Sequence, residues 1–68
     1  MTKHRLRLVE IADRKHPLVD EEFEGSDLAA EQRLNAIWND SIAAVQGERY
    51  RATARRIGER GAWMTIGW

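Results

Sequence analysis

Polar and apolar residues alternate near the start of the chain. In HRLRLVEIA, residues 4–12, Leu6 and Leu8 alternate with Arg5 and Arg7, the period-two pattern of a strand with one buried face. Val9 and Ile11 fall on the opposite parity. The strand over 4–12 is therefore covered on both faces toward its end or re-phased by a bulge.

The next segment, DRKHPLVDEEFEG, suggests a short helix. Pro17 suits a first helical position, where its missing N–H would be unpaired anyway. Val19 and Phe23 stand four apart, and Gly25 can supply a left-handed stop. A helix of one or two turns fits 17–24; the alternative is an extended acidic loop pinned by Leu18 and Phe23.

Residues 27–46 carry the strongest helical periodicity. Ala30, Leu34, Ile37, Trp38, Ser41 and Val45 share one face, with Ile42 at its edge. Ser26 or Asp27 can cap the N-terminus, and Asp27 and Glu31 place negative charge near the positive end of the helix dipole. The weak point is Asn39-Asp40-Ser41, residue types that favour caps over helix interiors.

Beyond Gly47 the helical spacing resumes as Tyr50, Ala54 and Ile57. Continued straight, that stripe would point about 150° away from the first. A break at Gly47 lets both stripes meet one core, since glycine inside a helix costs about 1 kcal/mol relative to alanine. The expectation is a second helix over 48–58; one unbroken helix would need two separate partners, as in an intertwined dimer. In GAWMTIGW, Ala62, Met64, Ile66 and Trp68 share one parity, which predicts a strand over 62–67 with Trp68 packed. The two terminal strands are expected to pair at the centre. The fold class expected is thus α+β: one small domain over 1–68, with an N-terminal strand, two main helices broken near Gly47 and a C-terminal strand. A mainly α fold is the alternative.

Size sharpens this picture. A chain of 68 residues buries only about 60% of its unfolded surface, so its core needs reinforcement. There is no cysteine, which excludes disulfides and thiolate zinc sites. His4 and His16 lie twelve apart without a second ligand pair, so no metal is expected. Self-association remains, and a homodimer or higher homo-oligomer is expected. The charged N-terminus lacks the apolar run of a signal peptide, and nothing approaches the roughly 20 apolar residues of a membrane span. A cytoplasmic protein without membrane contact is expected. Nine arginines against two lysines fit a GC-rich coding genome, and small arginine-rich chains of this kind suggest a bacterial or phage origin.

The net charge is zero, but the charges are segregated. Residues 1–16 hold five cations and two anions, 17–31 hold six carboxylates and no cation, and 49–60 hold five arginines and one glutamate. Such blocks steer charged partners or neutralise one another within the molecule.

No nucleophile–base arrangement, phosphate-binding glycine loop or dinucleotide fingerprint occurs. The six carboxylates around a turn are a solvated surface rather than an acid/base pair. Neither an enzyme nor a cofactor is expected. Three tryptophans are many for so small a core, and tryptophan and arginine are typical interface anchors. The expected function is a regulatory protein-interaction module acting through Trp38, Arg51, Arg55, Arg56, Trp63 and Trp68. The acidic stretch around Leu18 and Phe23 is a second candidate docking element. The alternative is nucleic-acid binding. On a helix over 48–60, Arg49, Arg56 and Arg60 form one ridge and Arg51 and Arg55 another, opposite the apolar stripe. Zero net charge argues against that alternative.

Overall fold

The computed structural model describes residues 2–67. Four antiparallel strands form one sheet in the order β2-β1-β3-β4, crossed on one side by a single α-helix. Strand β1 is Thr2–Glu10, β2 is Val19–Gly25, β3 is Tyr50–Arg56 and β4 is Met64–Gly67; helix α1 is Asp27–Asn39. The mixed α+β class expected from the sequence is observed. The second main helix is not: the strands β2 and β3 occupy most of 17–24 and 48–58, where helices were expected.

The same physical ambiguity underlies both differences. A spacing of four residues is compatible with a helical period and equally with a period of two. Val19 and Phe23 lie on the same face of β2, with Glu21 between them on that face. There Glu21 accepts from Arg33 of α1, Nε to Oε2 at 3.2 Å and Nη2 to Oε1 at 3.1 Å. In sequence, Glu21 interrupts the apolar alternation; in the fold, its partner comes from the helix. In β3 the alternation is Tyr50, Ala52, Ala54, with Ala52 and Ala54 fully buried. Ile57 lies beyond the strand and is 42% exposed, so it belongs to the following turn and not to a core stripe.

Helix α1 is shorter than 27–46. Ser26 caps it, its side chain accepting from the Ala29 N–H at 3.1 Å. It stops at Asn39, before Asp40 and Ser41. The Ser41 hydroxyl donates to the Trp38 carbonyl at 2.7 Å and accepts from the Ala43 N–H at 3.1 Å. One hydroxyl thus closes the helix and opens a 3-10 turn, Ile42–Ala44. A second such turn, Gly47–Arg49, leads into β3. The break lies at the capping residues and not at Gly47, because a side-chain hydrogen bond at that point competes with helix continuation.

The terminal strands do not pair with each other. β1 lies between β2 and β3, with Leu8 opposite Val19 on one side and Ala52 on the other. β4 is an edge strand beside β3, with Ile66 opposite Ala52. The core lies between sheet and helix. Leu6, Leu8, Ala30, Leu34, Ala43, Ala52 and Ala54 are fully buried, Ile37 nearly so. Val19, Phe23, Trp38, Tyr50, Trp63, Met64 and Ile66 pack around them half-buried. Each fully buried leucine contributes about 1.5–3 kcal/mol relative to exposure. Trp68 lies outside the described residues.

Candidate functional site

All of α1 packs on one side of the sheet, so the other side carries only what the strands place there. Strand alternation and register define it row by row. Glu22 of β2, Arg5 of β1 and Arg55 of β3 stand side by side; Asp20, Arg7, Thr53 and Thr65 form the next row; Val9, Arg51 and Gly67 the next. Glu24 and Lys3 extend the face at its other end. The result is a striped surface. Lys3, Arg5, Arg7, Arg51 and Arg55 occupy the two central strands, and Asp20, Glu22 and Glu24 line the β2 margin. Val9 is the large apolar side chain that β1 places on it.

The carboxylates answer only part of this positive charge. Asp20 is shared, with Oδ1 accepting from Arg5 Nη1 at 3.3 Å and Oδ2 lying 3.6 Å from Arg7 Nε. The latter distance is an ion pair but not a hydrogen bond. Arg7 Nε is buried and has no hydrogen-bond partner among the described residues. Arg5 and Arg55 are direct cross-strand neighbours, an arrangement in which like charges repel across about 5 Å. Arg55 turns one Nη toward the Glu59 carbonyl at 3.3 Å.

A hollow of about 190 Å³ opens on this face among Arg7, Val9, Arg14, Arg51 and Thr53. Arg14 comes from the turn between β1 and β2 and makes no hydrogen bond or ion pair with a described residue. A larger hollow of about 390 Å³ lies at the far end of β1, among Glu10, Ile11, Ala12, Glu48 and Arg49. It mixes both signs of charge and converges no set of like groups.

The residues expected to bind a partner are divided between the two sides of the sheet. Arg51 and Arg55 lie on the bare face. Arg56 lies on the helix side, gripping Asp27 with Nε at 3.3 Å from Oδ1 and with Nη2 on Oδ2. Its guanidinium sits 5.2 Å from the Trp63 ring centroid. Hydrogen bonding to Arg56 holds the Asp27 carboxyl below its ordinary value, and Asp27 holds Arg56 above its own. Trp63 is half-buried and donates from Nε1 to His4 Nδ1 at 3.3 Å. Trp38 is half-buried beside Gly47 and Gly67. The tryptophans within the described residues therefore meet the core, not the arginine stripe.

His4 is fully buried, with Nε2 at 3.1 Å from the Gly25 carbonyl. The carbonyl only accepts and the indole only donates, so the proton must sit on Nε2. Asp27 Oδ1 stands 3.7 Å from Nε2, beyond hydrogen-bond reach. Both ring nitrogens are occupied by structure, which leaves neither to exchange a proton with a bound substrate. No group of three histidines and carboxylates among the described residues is placed to hold a metal ion. No described helix is long and apolar enough to cross a membrane.

Sequence reading identified Arg51 and Arg55 but not Arg5, Arg7 and Arg14. The alternation of Arg5 and Arg7 with Leu6 and Leu8 did assign those two to the outer face of a strand. Their union with Arg51 and Arg55 depended on β3 being a strand and on its register with β1. No family model, curated protein or solved structure matches this chain.

Proposed function

We propose that this protein is a non-catalytic interaction module whose working surface is the bare face of the sheet, binding an acidic segment of a protein partner. The observation that carries the reading is the Arg5–Arg55 cross-strand pair within a two-strand stripe of five cations. Like charges directly opposite are a cost to the isolated sheet, and an anionic partner removes it.

A protein fits this face better than a nucleic acid does. The β2 margin of Asp20, Glu22 and Glu24 would repel a phosphate backbone laid across the stripe, whereas a protein surface can match both signs. No described aromatic side chain lies on that face to stack on a base. Net charge zero also departs from the basic balance of nucleic-acid binders.

The test is capture of partners by the wild-type chain and by Arg5→Glu/Arg55→Glu, followed by titration of the purified partner. The double charge reversal is expected to abolish binding without changing the fold, and an acidic patch on the partner should restore it when reversed to lysine. Binding that survives the double reversal removes the reading. Oligonucleotide binding with a steep salt slope would establish the alternative, nucleic-acid recognition.

A second copy of the chain is the proposed reinforcement of the small core. The two sheet edges differ in charge: β2 carries Asp20, Glu21, Glu22 and Glu24, while β4, Met64–Gly67, carries none. Two β2 edges repel each other. Two β4 edges can pair, making one continuous sheet with two basic stripes. Sedimentation at tens of micromolar is expected to give a dimer, and Thr65→Lys, which places charge on the joining edge, a monomer. A wild-type particle of 7.9 kDa at all concentrations sinks this part of the proposal.

A further inference from the structure

The outer edge of β2 is open, and the hydrogen-bond phase of the sheet fixes which of its backbone groups point outward. The Ile57 N–H donates to the Lys3 carbonyl and the Ile11 N–H to the Arg49 carbonyl, each at 2.9 Å. The odd-numbered residues of β1 therefore bond to β3 and the even-numbered ones to β2. In the register with β1, the β2 residues bonded inward are Val19, Glu21 and Phe23. The N–H and C=O of Asp20, Glu22 and Glu24 face away from the sheet, without a backbone partner among the described residues. Edges are commonly blunted by proline, lysine or a bulge. Strand β2 holds neither proline nor lysine and keeps one unbroken register with β1 over its 7 residues. Its charges are all negative, which deters a second acidic edge but attracts a basic strand.

We infer that this edge takes an extended basic segment of a protein partner as a fifth, antiparallel strand, with lysine or arginine on every second residue and apolar residues between. This goes beyond the arginine face and does not depend on it. The basic positions are those opposite Asp20, Glu22 and Glu24, where the two strands exchange backbone bonds and the side chains lie on the same side of the sheet. Unlike charges directly opposite stabilise a strand pair. Glu22 and Glu24 are exposed and make no ion pair with a described residue; Asp20 already has Arg5 and Arg7 and adds least. The alternate positions fall beside Val19, Glu21 and Phe23. Val19 and Phe23 are half-buried against the core, and Glu21 is held by Arg33, so apolar side chains suit those places. In strand addition the main-chain bonds supply affinity and the alternate side chains selectivity. The β4 edge offers no such match, being 4 residues long and uncharged.

The experiment is titration of the intact chain with a capped peptide of the length of β2 that alternates lysine and valine, read by amide chemical shifts and amide hydrogen exchange. In the free chain the amides of Asp20, Glu22 and Glu24 are expected to exchange faster than those of Val19, Glu21 and Phe23. The peptide should give saturable shifts along β2 and protect the three open amides. N-methylation of the peptide at its lysines removes backbone donors without altering charge, and should weaken binding at least about tenfold. Glu22→Lys/Glu24→Lys alters two exposed side chains that bond to nothing described, so it should fold normally. It should lose the lysine peptide and gain one that alternates glutamate and valine. Binding indifferent to N-methylation is charge attraction alone and overturns the edge site, as does the absence of saturable shifts along β2. Protection of the three amides that rises with the concentration of the free chain assigns the edge to a second copy and overturns the partner-borne strand.

Discussion

At the scale of single residues, His4 and Gly67 are placed where no other residue type performs the same task. His4 fills a fully buried position between Phe23 and Trp63, with ring centroids at 6.4 and 5.6 Å, and joins the end of β2 to the β3–β4 hairpin through its two nitrogens. His4→Phe keeps the aromatic volume but strands the Gly25 carbonyl. The expected loss is about 1–3 kcal/mol, the cost of one buried unsatisfied group, because half-exposed Trp63 can turn to water. Urea denaturation with an unchanged midpoint would falsify this. Gly67 has φ of 90°, and a Cβ there would collide with the Tyr50 carbonyl and approach Trp38 at 2.9 Å. Gly58 has φ of 95° but nothing within 4 Å of an added Cβ. Alanine at Gly58 should therefore cost only backbone strain, about 1 kcal/mol, and alanine at Gly67 clearly more. Equal melting temperatures for the two variants contradict that.

At the scale of elements, the helix and the strand β3 test whether the core lies where the burial places it. Leu34 is fully buried on α1, whereas Ile57 is 42% exposed past the end of β3. Leu34→Ala is expected to cost about 2–5 kcal/mol, enough to unfold much of a domain whose total stability is of order 5–15 kcal/mol. Ile57→Ala should stay within about 1 kcal/mol, because little apolar area is removed from the interior. A larger loss for Ile57→Ala than for Leu34→Ala would return residues 48–58 to the helical arrangement that their i, i+4, i+7 spacing suggests. Circular dichroism provides a second check, since one helix of 13 residues gives far less signal than helices over 27–46 and 48–58 together.

Across the whole molecule, charge segregation resolves into geometry. Part of it is internal: Arg33 answers Glu21 from helix to edge strand, and Arg56 answers Asp27 from β3 to the first turn of α1. The second pair carries a pH signature. The Arg56 hydrogen bond lowers the Asp27 pKa, outweighing the opposing effect of desolvation. A depressed carboxylate contributes stability that is present at neutral pH and is lost as the pH falls through the folded-state value, below the ordinary aspartate range near 4. Asp27→Asn should therefore be less stable than wild type at pH 7, and the two stability curves should converge as the pH falls below the ordinary aspartate range. Parallel curves below that range would exclude the ion pair as their cause. The remaining segregated charge gathers on the bare face, where Arg5 and Arg7 share Asp20 and Arg51 and Arg55 lie on the neighbouring strand.

Some of this was settled by local order alone. Alternation of Leu6 and Leu8 with arginines is enough to make β1 a strand with a charged outer face, because period two admits no other regular structure with one buried side. Ser26, the apolar set Ala30, Leu34 and Ile37, and the cap-forming Asn39-Asp40-Ser41 are enough to bound a helix. Its end at Asn39 follows from the weak point visible in the sequence, not from Gly47. The strands β2 and β3 were not determined locally. Val19 with Phe23, and Tyr50 with Ala54, satisfy both periods at a spacing of four, and the choice between them depends on Glu21 finding Arg33 and on Ala52 and Ala54 fitting beneath the helix. The arginine face depended on the same choice. On a helix, Arg51, Arg55 and Arg56 would share one side; as a strand, β3 sends Arg51 and Arg55 to the bare face and Arg56 to Asp27. Only the pairing of β1 with β3 brings Arg7 and Arg51 to one hollow, because residues 44 positions apart become neighbours through register and not through sequence.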